Sequence, residues 1–312
     1  MKILLSGAAG FLGSHLTSKL LEEGHQVTAL DDFSTGRIEN LQRFKDNPNL
    51  SIRAQDVREP FFESVDAVLN FACPASPPAY QEDPVRTIET NFIGTLNLLN
   101  LAKKTKAVFI QASTSEIYGD PTESPQNEKY WGNVNPIGIR SCYDEGKRAA
   151  ETLCFDFKRQ FGLDVRVIRI FNTYGPNMAI NDGRVVSNMI VQALSNQPIT
   201  IYGNGNQTRS FCYVSDLIEA IFLTLMHKVH FDSPINLGNP QEFSMNDLAN
   251  KIKSLLKSKS SVVLKPLPLD DPKQRKPDIS LAQALLNWSP KVDLESGLIK
   301  TIDYFREELK NA

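Results

Sequence analysis

The chain has 312 residues, 41% of them hydrophobic, enough to bury a substantial core in one large or two closely joined domains. With 34 basic residues against 36 acidic ones, a net charge of -2 and no dense Lys/Arg block, it gives nucleic acid or an anionic membrane little to hold. Its four cysteines lack C-x-x-C spacing, which predicts free thiols in a reducing, cytoplasmic setting and argues against a zinc site. Met1-Lys2 runs straight into an apolar stretch, so neither a leader nor a membrane span is expected.

In chain order, Lys2 to Ser6 reads as a strand, and Gly10 to Glu23 as a helix stopped by Gly24. Between them Gly7-Ala8-Ala9-Gly10-Phe11-Leu12-Gly13 has the strand-turn-helix context of a dinucleotide site, with backbone close to a pyrophosphate and a helix N-terminus facing it. The second strand, Gln26 to Leu30, ends in Asp31-Asp32. A carboxylate there accepts hydrogen bonds from an adenosine ribose and repels a 2'-phosphate, so NAD is the expected cofactor and Asp31 the preferred contact. Ser34, Thr35 and Gly36 are expected along the adenosine edge, with Arg37 the one residue set against the NAD preference. Asp56 and Val57, after a third strand, are candidates for the adenine.

Further strands are predicted over Ala67 to Ala72, Ala107 to Gln111 and Val165 to Ile170. Helices are predicted over Pro84 to Lys104 and Tyr143 to Phe161. This alternation predicts an α/β fold, a Rossmann-type doubly wound parallel sheet over residues 1–171. From residue 172 the sequence becomes loopier, which predicts a smaller C-terminal α/β substrate domain over 172–312, with segments near 210–238 packing back on the first. Its helices are read at Ser215 to Met226, Ser244 to Leu256 and Leu294 to Leu309.

Tyr143 and Lys147 stand four residues apart on a predicted helix, so they share one face. An ammonium near a phenol favours its ionised form, and such a phenol can take a proton from a sugar hydroxyl as its hydride leaves. Cys142 has no histidine near it in the motif and reads as a packing residue. The four histidines form no metal-ligand pattern.

Together with Ser113-Thr114-Ser115-Glu116-Ile117-Tyr118-Gly119, these motifs resemble the extended short-chain dehydrogenase/reductase family of nucleotide-sugar enzymes. Within it the chain is similar to the UDP-glucuronate decarboxylases, or UDP-xylose synthases. That similarity is carried by Phe71-Ala72-Cys73-Pro74-Ala75-Ser76-Pro77-Pro78, Tyr130 to Gly138, Arg169 to Pro176, Asp182 to Asn188 and Gln274-Arg275-Lys276-Pro277-Asp278. The pattern departs at Cys73, where the family has serine.

The resemblance implies oxidation of UDP-glucuronate at C4 by bound NAD, loss of CO2 from the β-keto acid, and reduction to UDP-xylose. It implies Tyr143 as base, Lys147 as its helper and a ribose anchor, and Thr114 as a second hydrogen bond to the C4 hydroxyl. Ser115 and Glu116 fall near C5 and C6, with serine where dehydratases carry an aspartate, and Arg275 is the active-site arginine. Phe71 and Thr173 join the cofactor contacts. Pro74, Ser76, Asn172, Arg184, Asn188, Tyr202, Gln207 and Arg209 join the substrate contacts, with Asn172 and Arg209 foremost for the UDP. A homodimer is implied through the Pro84 to Lys104 and Tyr143 to Phe161 helices. The rival readings are a 4-epimerase or 4,6-dehydratase on the same scaffold, and a non-catalytic NAD-sensing regulator. Ser115 and Arg275 stand against the first two, and the intact Thr114, Tyr143 and Lys147 against the third.

Overall fold

Ile3 and Leu5 point to one face of the first strand and Leu4 to the other, and all three are buried, so this strand lies inside a sheet covered on both sides. The computed structural model, which describes every residue except Asp271, Lys273 and Ala312, contains that sheet. Seven parallel strands run in the order Ile235–Leu237, Val165–Ile170, Val108–Thr114, Ala67–Asn70, Lys2–Ser6, Gln26–Asp31 and Leu50–Ala54. The chain reverses direction across the sheet between Lys2–Ser6 and Ala67–Asn70. Gly7 and Phe71, which follow those two strands, both line the cleft at this switch point.

Each face carries its own core. Leu16 and Leu20 of the Phe11–Glu22 helix share one with Leu217 and Ile221 of the Val214–Met226 helix. Leu98, Leu99 and Ala102 of the Thr95–Thr105 helix share the other with Cys154 and Phe157 of the Ser141–Phe161 helix. Burying one such leucine contributes about 1.5–3 kcal/mol.

Two elements differ from the sequence expectation in ways that shape the site. The fifth strand runs on past Gln111 to Thr114, because Ala112, Ser113 and Thr114 keep pairing with Ile168, Arg169 and Ile170. That carries Thr114 to the strand's carboxyl end. The helical run after Pro84 is not uniform: Pro84–Glu89 and Thr95–Thr105 are joined by a wider π-turn over Thr90–Gly94. There the buried Asn91 gives its amide to the Thr87 carbonyl at 3.0 Å. Gly94 packs so tightly that a Cβ would come within 2.6 Å of Val57.

Beyond residue 172 the chain forms short strand pairs, Ile199–Tyr202 with Val262–Lys265 and Thr208–Ser210 with Glu242–Ser244. Around them lie the helices Val185–Leu194, Met245–Leu256 and Leu294–Asn311. The same half sends Ile235–Leu237 into the main sheet and the Val214–Met226 helix against Phe11–Glu22.

Candidate active site

The glycine motif closes the first strand in a turn that other residues would obstruct. Gly7 sits at φ +69°, and a Cβ on it would come within 2.6 Å of the Phe71 carbonyl carbon. A Cβ on Gly10 would meet only the Gly7 carbonyl, at 3.3 Å, while Gly10 itself lines the cleft, so a side chain there would fill the cradle. The Phe11–Glu22 helix starts at this point, with its unbonded N–H groups turned toward the turn.

Asp31 ends the second strand and organises this loop. Its carboxylate accepts the Ala9 N–H at 2.8 Å and the Phe33 N–H at 2.9 Å, one on each oxygen, and each oxygen keeps a second lone pair. Burial pushes its carboxyl up against the pull of those two bonds. Asp32 is held by Ser34 and by Arg86, the latter at 2.7 Å, and both charged residues line the adenosine end of the cleft. Arg86 has no sequence signal of its own. Arg37 is engaged by Glu308 at 2.6 Å, which offsets the charge it could offer a 2'-phosphate.

Ser34, Thr35, Gly36, Val57, Phe71 and Pro74 line this end of the cleft. Asp56 does not line it. Arg58, two residues on, clamps the Asp56 carboxylate at 2.8 and 3.0 Å, and Gln55 stands in the lining instead. These features fit a dinucleotide: an open cradle over Gly10, a carboxylate at the strand end beside it, and a continuous groove onward to Tyr143.

That groove widens into a cleft of about 650 Å³. Phe11, Leu12, Gly13, Thr173, Thr114, Ser115, Glu116, Tyr143 and Lys147 all line it. Tyr143 and Lys147 share one helix face, with the ammonium 5.8 Å from the ring centroid, but Lys147 donates to the Ala112 carbonyl at 2.9 Å. Burial pushes the phenol far above its ordinary value, Cys73 adds to the rise, and the Thr114 hydroxyl bond opposes it. Burial likewise pushes the Lys147 ammonium down. The expected lowering of the phenol is therefore outweighed by desolvation. Tyr80, whose place no motif revealed, stacks flat on Tyr143 with ring centroids 5.0 Å apart and planes 10° apart.

At the far end lies a buried ionic cluster. Glu116 accepts Arg140 at 2.6 Å, and Arg275 forks onto both its oxygens at 2.6 and 2.8 Å. Burial would raise this carboxyl, but Arg275 and then Arg140 outweigh it and hold it below the usual range. Arg275 also donates to Asn172 at 3.3 Å. Arg209 is bridged to Arg275 through the backbone and gives its guanidinium to the Thr208 and Pro272 carbonyls. Arg184 pairs with Asp182 at 2.6 Å, Asn188 donates to Gly183, and Gln207 to the Tyr202 carbonyl. All of these, with Ser76, face the same cleft. Arg140 and Asp144 went unread in the sequence because their meaning comes from contacts across the fold. Among the described residues no cluster of histidine, cysteine, aspartate or glutamate could hold a metal ion.

A family model described as the NAD dependent epimerase/dehydratase family matches residues 3–238. UDP-glucuronic acid decarboxylase 1 of Danio rerio is 53% identical over 310 residues, 99% of this chain and 74% of that protein. UDP-glucuronic acid decarboxylase 1 of Arabidopsis thaliana is 52% identical over 311 residues, 100% of this chain and 71% of that protein. The chain belongs to this family, in its UDP-glucuronic acid decarboxylase branch. Its cofactor is NAD, and its sheet is the family's α/β fold. A UDP-glucuronic acid 4-epimerase from Bacillus cereus, solved with UDP-glucuronic acid and NAD, superposes with a TM-score of 0.89 at 29% identity, covering 99% of this chain and 100% of that one. A UDP-glucose 4-epimerase from Thermotoga maritima, solved with UDP-glucose, gives 0.89 at 30% identity with the same coverage.

Proposed function

We infer that this protein converts UDP-glucuronate to UDP-xylose and CO2 without net oxidation or reduction. The observation that carries the reading is the buried Arg140–Glu116–Arg275 cluster beside Tyr143 in one cleft, in a chain 53% identical to a UDP-glucuronic acid decarboxylase.

The Gly7 to Gly13 turn, Asp31, Thr35, Val57 and Lys147 would hold NAD, which supplies a reversible hydride acceptor. Tyr143 takes the proton of the C4 hydroxyl, with Thr114 as a second hydrogen bond to that oxygen. The ketone left at C4 lies β to the C6 carboxylate, so the electron pair of the C5–C6 bond moves into an enolate as CO2 leaves. Arg275 and Ser115 donate toward the developing negative charge, and Glu116 shares in moving the proton that returns to C5. Hydride returned to C4 and the proton returned from Tyr143 complete the product. Asn172, Arg184, Asn188, Tyr202, Gln207 and Arg209 hold the nucleotide.

We further propose that residues 1–171 serve the cofactor and 172–312 the sugar nucleotide, and that the protein works as a cytoplasmic homodimer. Val85, Ile88, Phe92 and Ile93 on the Pro84–Thr105 run and Phe161 on its neighbour are exposed apolar residues that support such a pairing. Sedimentation equilibrium at micromolar concentration checks it, with a monomer the contrary result.

The activity is tested by incubating the purified protein with UDP-glucuronate and catalytic NAD and following CO2 and the sugar nucleotide by mass spectrometry. Loss of CO2 without accumulated NADH is expected. An isomer of unchanged mass would make it an epimerase instead.

A further inference from the structure

Behind Tyr143 and Lys147 lies a buried ion pair that the reaction as written does not use. Glu151 follows Lys147 by one turn of the Ser141–Phe161 helix and Tyr143 by two, so the three lie along one face. Its carboxylate accepts the Arg169 guanidinium as a fork, at 3.0 Å on one oxygen and 2.8 Å on the other, and also the Ser113 hydroxyl at 2.5 Å. Ser113 and Arg169 stand opposite each other on the adjacent strands Val108–Thr114 and Val165–Ile170. Arg169 also donates to the Tyr118 hydroxyl at 2.9 Å and the Glu128 carbonyl at 3.1 Å. Neither Glu151 nor Arg169 is among the described residues that line the cleft.

Stability alone gives no reason for such a pair. Apolar side chains of similar volume are commonly as stable at two buried positions, because they avoid the cost of stripping water from two charges. What the pair supplies is direction. Three consecutive strand residues each hold one residue of the helix: Ala112 takes the Lys147 ammonium on its carbonyl at 2.9 Å, Ser113 holds Glu151, and Thr114 bonds the Tyr143 hydroxyl. The neighbouring strand Ala67–Asn70 makes its last pair with Gln111, so on that side this stretch leans on the helix instead. Lys147 has three N–H groups, and the Ala112 carbonyl leaves it two for a ribose. Cys73, Cys154 and Glu151 face its ammonium, and burial keeps both thiols protonated at neutral pH. Glu151, paired with Arg169, is the anion of the three.

We propose that Glu151 is a positioning residue for hydride transfer: gripped by Ser113 and Arg169 on two strands, it locks the helix in register with the Val108–Thr114 strand, so that Lys147 meets the cofactor ribose while Tyr143 meets the C4 hydroxyl. This role rests on the reading of Tyr143 as base and Lys147 as ribose anchor, and adds what keeps the two at their stations. Glu151 itself touches neither sugar nor cofactor.

The decisive variant replaces both charges at once, Glu151→Met with Arg169→Met, which removes the grip without leaving a lone buried charge. Its melting temperature is expected to stay near that of the wild type. C4 oxidation, read as the NADH transient in single-turnover stopped flow at saturating NAD, is expected to slow by about 10- to 100-fold, the scale of a small misplacement of reacting groups. In calorimetry NAD should weaken by about five- to tenfold and UDP-glucuronate by less than about threefold, since the lost contact is that of Lys147 with the ribose. Wild-type rate and NAD affinity in the double variant would mean a merely structural pair and overturn the proposal. A loss of rate that tracks a fall in melting temperature, with both ligands weakened alike, would overturn it too.

Should the double variant fail to fold, Glu151→Asp decides. It keeps the charge but draws the anchor back by one methylene, so C4 oxidation should slow by about fivefold or more with the melting temperature kept, and an unchanged rate overturns the idea. Absence of both NADH and CO2 from the wild type would instead sink the decarboxylase reading, and would leave NAD affinity to judge Glu151 separately.

Discussion

The two ends of the cleft are made from different materials. The adenosine end is mostly backbone: a glycine turn, a helix start, and the Asp31 carboxylate that braces them by accepting two backbone N–H bonds. The carboxylate end is side-chain charge gathered from far apart, with Glu116 meeting Arg140 across 24 residues and Arg275 across 159. A site built largely from backbone groups should tolerate change at most single side chains. One built from a few opposed charges should not.

The sharpest test of that contrast lies between the ends. Tyr143→Phe removes the group proposed to take the C4 proton, and kcat should fall by about 10²–10⁴ with NAD affinity little changed; a loss below tenfold in single-turnover assays would reassign the base. Arg275→Ala comes next. It should slow CO2 release by about 10²–10³ while transient NADH absorbance still appears on mixing with UDP-glucuronate, and normal CO2 release would remove Arg275 from the decarboxylation step. At the adenosine end, Asp31→Asn keeps the shape and loses the charge. NAD should weaken by only about tenfold and the preference over NADP should shrink; undiminished discrimination in titrations of both would shift that task to Asp32.

The smallest effect is on pH. Asp144 faces Tyr80, Cys142 and Tyr143 as well as Glu116, Arg140, Arg275 and Glu145. As pH rises through about 8 it ionises beside Arg140, so UDP-glucuronate binding should weaken by about two- to fivefold relative to UDP-xylose, and Asp144→Asn should flatten that decline. Because the folded state holds this proton more tightly than the unfolded chain, its contribution to stability is lost as pH rises from the ordinary carboxyl range to about 8. Asn at 144 should therefore raise the melting temperature more at pH 8 than at pH 5, and an equal gain at both would contradict a buried acid.

The same contrast explains what could be read from the sequence. The turn from Gly7 to Gly13, Asp31 at a strand end, and Tyr143 with Lys147 on one helix face are local patterns, and local geometry fixes their meaning. Arg140 looked like any arginine before a helix, and Tyr80 like a loop aromatic, because what they touch is supplied by other segments. Asp56 is a local pattern with a second claim on it: Arg58, two residues on, holds its carboxylate. The π-turn at Thr90–Gly94 was invisible for a related reason. Its cause lies in where Asn91 and Gly94 find partners, and the apolar rhythm does not record that.

Arg140 and Tyr143 share a single turn, joined by one backbone hydrogen bond. For anyone wishing to retarget the scaffold, the arginine that meets Glu116 and the tyrosine proposed as base are therefore one module. A transplant that imports a new partner for Glu116 at this turn also resets the pitch of Tyr143. Engineering selectivity here calls for exchange of the whole helix start together with the Glu116 turn, and a piecemeal swap would put the two functions out of step.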